Sequence, residues 1–216
     1  AVVMCVTDAE RRVTAADADP KPESPSVSYH SPQEVAYSPD GSRLAVTDRT
    51  AETLVIVDVA EAEILHTVPL TGPSGGVAWS EDGQTVFVTE YGASSVSEVH
   101  ALDGHVVRRL PVDRHPQGLA VAPKKGLLVV ANSTTDCVSI LNLGDGKTVV
   151  QIDIPREPFF VAITPDESLA VVSNLLPLGR ADDPNYGAVV SLIDLENANH
   201  VQDLALPPGA SMVRQV

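Results

Sequence analysis

Short apolar runs recur along this chain at a fixed step, with polar turns between them. The runs at 44–47, 86–89, 128–131 and 170–173 each follow the last by 42 positions. They are continuously apolar, as strands covered on both faces are. Each is preceded by a shorter apolar strand, at 35–38, 77–80, 119–122 and 161–164. Two more runs follow it, at 54–58, 96–100, 138–142 and 190–194, then at 64–68, 106–110, 148–152 and 200–204. Turn chemistry fills the gaps. Pro39-Asp40-Gly41 and Glu81-Asp82-Gly83 separate the first and second strands, and Asp103-Gly104 and Asp145-Gly146 separate the third and fourth. In both places glycine supplies the positive φ a tight turn needs. Four short strands per ~42-residue unit are the signature of β-propeller blades rather than of a helical solenoid.

The pattern predicts an all-β, single-domain propeller of four-stranded antiparallel blades. Four whole blades span 32–70, 73–112, 116–154 and 158–206. Pro32, Pro73, Pro116 and Pro158 stand where the chain passes into each blade, fixing φ where no ladder donor is required. The register also reaches the ends. Residues 1–16 overlay the third and fourth strands of a blade, 17–31 read as a Pro/Ser/Asp-rich linker, and 207–216 as the start of a further first strand. Two arrangements follow. The end pieces combine into a fifth, incomplete blade, or the chain belongs to a larger ring. The second is favoured, because a missing inner strand would bare an apolar edge.

One register break stands out. Val138 to Val190 is a step of 52 rather than 42, and the ten extra residues fall within 175–187. This loop carries Arg180, Asp182, Asp183, Asn185 and Tyr186, a candidate interaction surface.

The recurring unit, with Val/Leu-Ala before Ser/Thr-Pro-Asp-Gly and Val-Ser-Leu/Ile at the third strand, resembles the YVTN family of propeller repeats of surface-layer and exported proteins. The namesake asparagine is kept only at Asn132 and Asn174; Asp48 and Glu90 replace it. The 175–187 loop, followed by Leu206-Pro207-Pro208-Gly209, looks like propellers that precede a di-haem cytochrome c peroxidase-like domain. The resemblance implies a periplasmic or extracellular location, with any signal peptide removed or outside the chain. The narrower match implies a cytochrome c type neighbour.

Composition narrows the partners. Net charge is −15, which repels phosphate backbones and anionic lipid and argues against nucleic acid. No apolar run approaches the ~20 residues of a membrane span. Hydrophobic content is 44% with only 4% aromatic, so the core is built from thin β-branched layers. Cys5 and Cys137 carry no CxxC or CxxCH, so no haem attachment is expected here. Cys5 reads as a buried strand thiol, and a disulfide between the two has no support.

Candidate chemistry sits at a few positions. Asp48, Glu90, Asn132 and Asn174 end the second strands. They read either as turn caps bonded to nearby amides or as a polar ring for a cation or polar ligand. His115, just before Pro116, is a further channel candidate. Asp182, Asp183 and Asn185 offer three oxygen side chains for calcium, though without EF-hand spacing. Ser74-Gly75-Gly76 reads as a flexible blade entry, and no P-loop or G-x-G-x-x-G occurs. The expected role is therefore a non-catalytic binding or scaffold module without a cofactor of its own. It would act through its face loops on a protein partner or on further blades of the same polypeptide. A redox accessory, or a metal-dependent propeller enzyme of lactonase or quinone-dependent dehydrogenase type, is the alternative.

Overall fold

Four apolar strands per repeat pair in chain order into one sheet, and the sheets stand side by side. The structure, a computed structural model, describes residues 29–177, 179–180, 187–207 and 210. Blade 1 holds β1 (Pro32–Tyr37), β2 (Arg43–Asp48), β3 (Thr53–Asp58) and β4 (Glu63–Pro69). Blade 2 holds β5 (Ser74–Trp79), β6 (Thr85–Glu90), β7 (Ser95–His100) and β8 (Val106–Pro111). Blade 3 holds β9 (Pro116–Ala122), β10 (Leu127–Asn132), β11 (Cys137–Asn142) and β12 (Thr148–Asp153). Blade 4 holds β13 (Pro158–Ile163), β14 (Leu169–Asn174), β15 (Val189–Asp194) and β16 (Asn199–Ala205). Among the described residues every pairing is antiparallel between consecutive strands, and no sheet borrows a strand from another. The described residues include no α-helix and no helix long and apolar enough to cross a membrane. The partial blade expected over 1–16 and the strand expected after 207 lie outside the described residues, apart from Pro207 and Ala210.

The turns carry the repeat as the sequence expects. Ser38, Ser80 and Thr164 donate their hydroxyls to Asp40, Asp82 and Asp166 at 2.6 Å, while the Ser42, Gln84 and Ser168 amides donate to the same carboxylates. These bonds hold the Asp40 and Asp166 carboxyls at about 2. Gly41, Gly83, Gly104 and Gly146 all have positive φ.

Two faces result. One carries the joins between blades and the loops after each second strand, and is here the joint face. The other carries the remaining hairpins and is the hairpin face.

The core lies in three seams between blades, not within any one sheet. Ala45, Leu54 and Ile56 of blade 1 meet Val77, Val86, Val88 and Val99 of blade 2. Phe87 and Val96 meet Leu119, Leu128 and Val130 across the next seam. Val129, Val138 and Ile140 meet Ala170, Val172 and Ile193 across the third.

At the inner edge β1 packs on β5, β5 on β9 and β9 on β13. The approach is so close that a Cβ on Gly118 would fall 2.5 Å from the Phe159 carbonyl oxygen. Thr47 and Thr89 bridge these strands, donating to the Gly75 and Gln117 carbonyls at 3.0 and 2.6 Å.

On the hairpin face, cationic chains clasp the next blade. Arg43 reaches the Gly83 carbonyl, Arg108 reaches those of Leu143 and Gly144, and Lys124 reaches that of Pro165.

Candidate binding face

The four residues that mark the repeat stand at the joint-face ends of β2, β6, β10 and β14. The residue opposite on the third strand decides how each is bonded. In blades 2, 3 and 4 it is a serine. Ser97 donates to Glu90, while the Asn132 and Asn174 amides donate to Ser139 and Ser191 at 2.8 and 2.9 Å. In blade 1 the matching position is Val55, and Asp48 instead bends over the turn that follows it. There it accepts from the Ser31, Thr50 and Ala51 amides at 3.0, 3.1 and 2.9 Å, and from His30 Nδ1 at 2.8 Å. Burial pushes the Asp48 pKa up, but the Ala51 and Ser31 amides and His30 outweigh it and hold it at about 2.

Glu90 is 0% exposed. Its carboxylate also accepts from the Thr71 hydroxyl, from the Thr71 amide at 2.6 Å and from Arg109 Nε at 3.3 Å. Burial raises its pKa, yet the Ser97 and Thr71 bonds and the Arg109 charge together hold it below the usual value. Asn132 and Asn174 are buried too, and their Oδ1 atoms have no partner among the described residues.

Cys137 is buried beside Asn132, and burial pushes its thiol pKa up. Cys5 lies outside the described residues.

His115 lies elsewhere on the same face and has a left-handed φ of 54°. Its ring stacks on Tyr91 with centroids 4.1 Å apart and planes 7° from parallel, and its Nδ1 bonds the Thr134 hydroxyl. The Arg49 guanidinium covers Tyr91 at 4.6 Å. This ladder links the loops of blades 1 and 2 to the join leading into blade 3.

Beside the ladder opens a cavity of about 360 Å³ walled by three blades. Blade 2 gives Tyr91. Blade 3 gives Gln117, Ser133, Thr134 and Asp136. The join into blade 4 gives Arg156, Glu157 and Phe159, and the loop after β14 gives Leu175 and Leu176.

Much of its polar lining is already committed. Ser133 Oγ donates to the His115 carbonyl, Asp136 Oδ1 accepts the Glu157 amide at 2.7 Å, and Arg156 Nη1 donates to the Pro177 and Gly179 carbonyls. Gln117 differs. It is 7% exposed, and among the described residues nothing pairs with its carboxamide. What exposure it keeps is toward the cavity it lines.

The first residues of the 175–187 insertion therefore form a cavity wall. Arg180 lies just past that wall, and Asp182, Asp183, Asn185 and Tyr186 lie outside the described residues. Among the described residues, no three His, Cys, Asp or Glu side chains gather at metal-binding distance. A second cavity of about 310 Å³ lies on the hairpin face between blades 2 and 3, lined by Phe87, Val121 and Leu143.

The arrangement is similar to a solved structure, Kuenenia stuttgartiensis hydrazine synthase. The TM-score is 0.76 at 21% identity, over 83% of this chain and 50% of that one. The chain thus spans half the length of this neighbour, and at that identity the likeness shows the β-propeller fold. No protein-family profile matches the sequence, and no curated protein matches it.

Tyr91, Gln117, Arg156, Glu157 and Phe159 were not singled out by the sequence. A signal for them exists. The position after each second-strand end reads Arg49, Tyr91, Ser133, Leu175, and the second residue of each inner strand reads Gln33, Gly75, Gln117, Phe159. A position that varies inside a fixed register is freed from the fold and open to other use.

Proposed function

We propose that the chain is a non-catalytic binding module that takes a small ligand or a partner's side chains in the joint-face cavity. The observation that carries this is the cavity itself. At about 360 Å³ it falls within the ~300–1,000 Å³ typical of ligand pockets. It mixes two leucines and two aromatic residues with a few polar groups, and it is set on the ends of rigid strands. The 175–187 insertion supports the reading, since its first residues build one wall.

The YVTN-like repeat supports placing the module in an exported protein, periplasmic or at the cell surface. An enzyme built on Asp48, Glu90, Asn132 and Asn174 has less support, because all four are buried and the two carboxylates are already surrounded by hydrogen-bond donors. Calcium at Asp182, Asp183 and Asn185 stays a separate proposal, tested by calorimetric titration with calcium chloride.

The test is a ligand-observed NMR screen of small peptides and polar molecules. Binders are expected, and Phe159→Ser should release them while leaving the circular dichroism melt in place. Binders indifferent to that substitution would overturn the reading.

A further inference from the structure

Three groups in the cavity are left over once the fold has taken its hydrogen bonds. The Gln117 carboxamide is nearly buried and unpartnered among the described residues, so it presents both a donor and an acceptor. It is not among the fully buried unpaired polar atoms, so its amide edge stays open to a ligand in the cavity it lines. The Glu157 carboxylate also has no partner among the described residues; only its backbone amide is engaged, by Asp136. The second oxygen of Asp136 is likewise uncommitted. Against these two carboxylates stands one cation, Arg156, and its guanidinium is drawn to the Pro177 and Gly179 carbonyls at 3.3 and 3.0 Å. The lining is therefore net negative, with a neutral amide edge and an apolar wall of Phe159, Leu175 and Leu176.

Resting on the binding reading above, we infer that the cavity takes a protonated amine set beside a carbonyl group with a short apolar arm, as at the free N-terminus of a peptide. The ammonium lies between Glu157 and Asp136, whose charge-assisted bonds are the strong ones available here. The adjoining peptide group pairs with the Gln117 carboxamide. The first side chain rests on Phe159 and the two leucines. Arg156 does not compete, because the loop carbonyls hold it at the rim. Tyr91 has both ring faces covered, by Arg49 and His115, so it contributes its edge and hydroxyl rather than a stacking surface.

The test is isothermal titration of the 216-residue chain with leucyl-alaninamide and with N-acetyl-leucyl-alaninamide. The free amine should bind at least about tenfold more tightly, the scale of one charge-assisted hydrogen bond. Glu157→Gln should erase most of that preference without weakening the acetylated probe, and Gln117→Leu should weaken both. Both variants should melt with the parent chain, since neither side chain has a partner to lose. Equal binding of the two probes, with both lost in Phe159→Ser, would overturn the amine assignment and leave the binding reading standing. If neither probe binds and the broader screen gives no ligand sensitive to Phe159→Ser, both readings fall.

Discussion

Glu90 and Glu34 show how two glutamates in neighbouring blades come to opposite electrostatic ends. Glu90 is fully buried but surrounded by donors, and its pKa is held low. Its ionised form is thus favoured in the folded state, and that stabilisation is present above the unfolded pKa and lost as pH falls through the lower folded value. Glu90→Ala should cost about 2 kcal/mol in urea unfolding, because it leaves the buried Ser97 hydroxyl without its acceptor, while exposed Thr71 and Arg109 turn to water; Glu90→Gln should cost less. Glu34 sits on β1 beside the Val77 amide of β5 in blade 2. Burial raises its pKa to about 7, against the weaker pull of the Val77 amide. The folded state therefore holds a proton that the unfolded chain releases near 4.5. This contribution is complete below that value and fades as pH rises through about 7. Glu34→Gln should flatten the melting temperature between pH 5 and 8, and an unchanged slope would show that the group titrates normally.

At the scale of the element, the inner strands set the tolerance of the whole stack. β9 and β13 touch backbone to backbone at Gly118, where a Cβ would lie 2.5 Å from a carbonyl oxygen that cannot move alone. Gly118→Ala should lower stability by about 2 kcal/mol in denaturant titration, by forcing blades 3 and 4 apart. The clasps of the hairpin face are weaker. Arg43→Ala removes one bond to the Gly83 carbonyl and the cover over Trp79, whose centroid lies 5.3 Å away. A loss of about 1 kcal/mol is expected, with a shift in Trp79 fluorescence.

The strands and turns were legible because each rests on local chemistry: an apolar run, then Asp-Gly. The fate of Asp48, Glu90, Asn132 and Asn174 was only half legible. Turn capping describes Asp48. The others depend on Ser97, Ser139 and Ser191, which lie across the sheet rather than along the chain.

For the whole molecule, each seam needs two blades, so a blade face without a neighbour stays bare. On the outer side of blade 1, Val35 and Tyr37 are 58% and 63% exposed. Exposed apolar patches mark contact surfaces, so this face is a candidate for contact with another copy of the chain. The 216-residue chain should associate in sedimentation experiments, and Val35→Lys with Tyr37→Lys should return it to a monomer. A monomer before substitution would show that the face is covered within the chain. The cavity belongs to this scale too, because no single repeat contains it.

The sequence by itself determined the blades: their number within 32–206, the strand order, the turns and the place of the one insertion. Period and apolar pattern are properties of neighbours along the chain, and a repeat states them four times over. Tertiary structure decided which leftover groups meet. Tyr91, Gln117, Glu157 and Leu176 come from three blades, and only the stacking of sheets side by side puts them around one space. It also decided that Gln117 is nearly buried against the cavity and that burial raises the Glu34 pKa to about 7. Burial and hydrogen-bond supply depend on what packs across a seam, and the repeat does not spell that out.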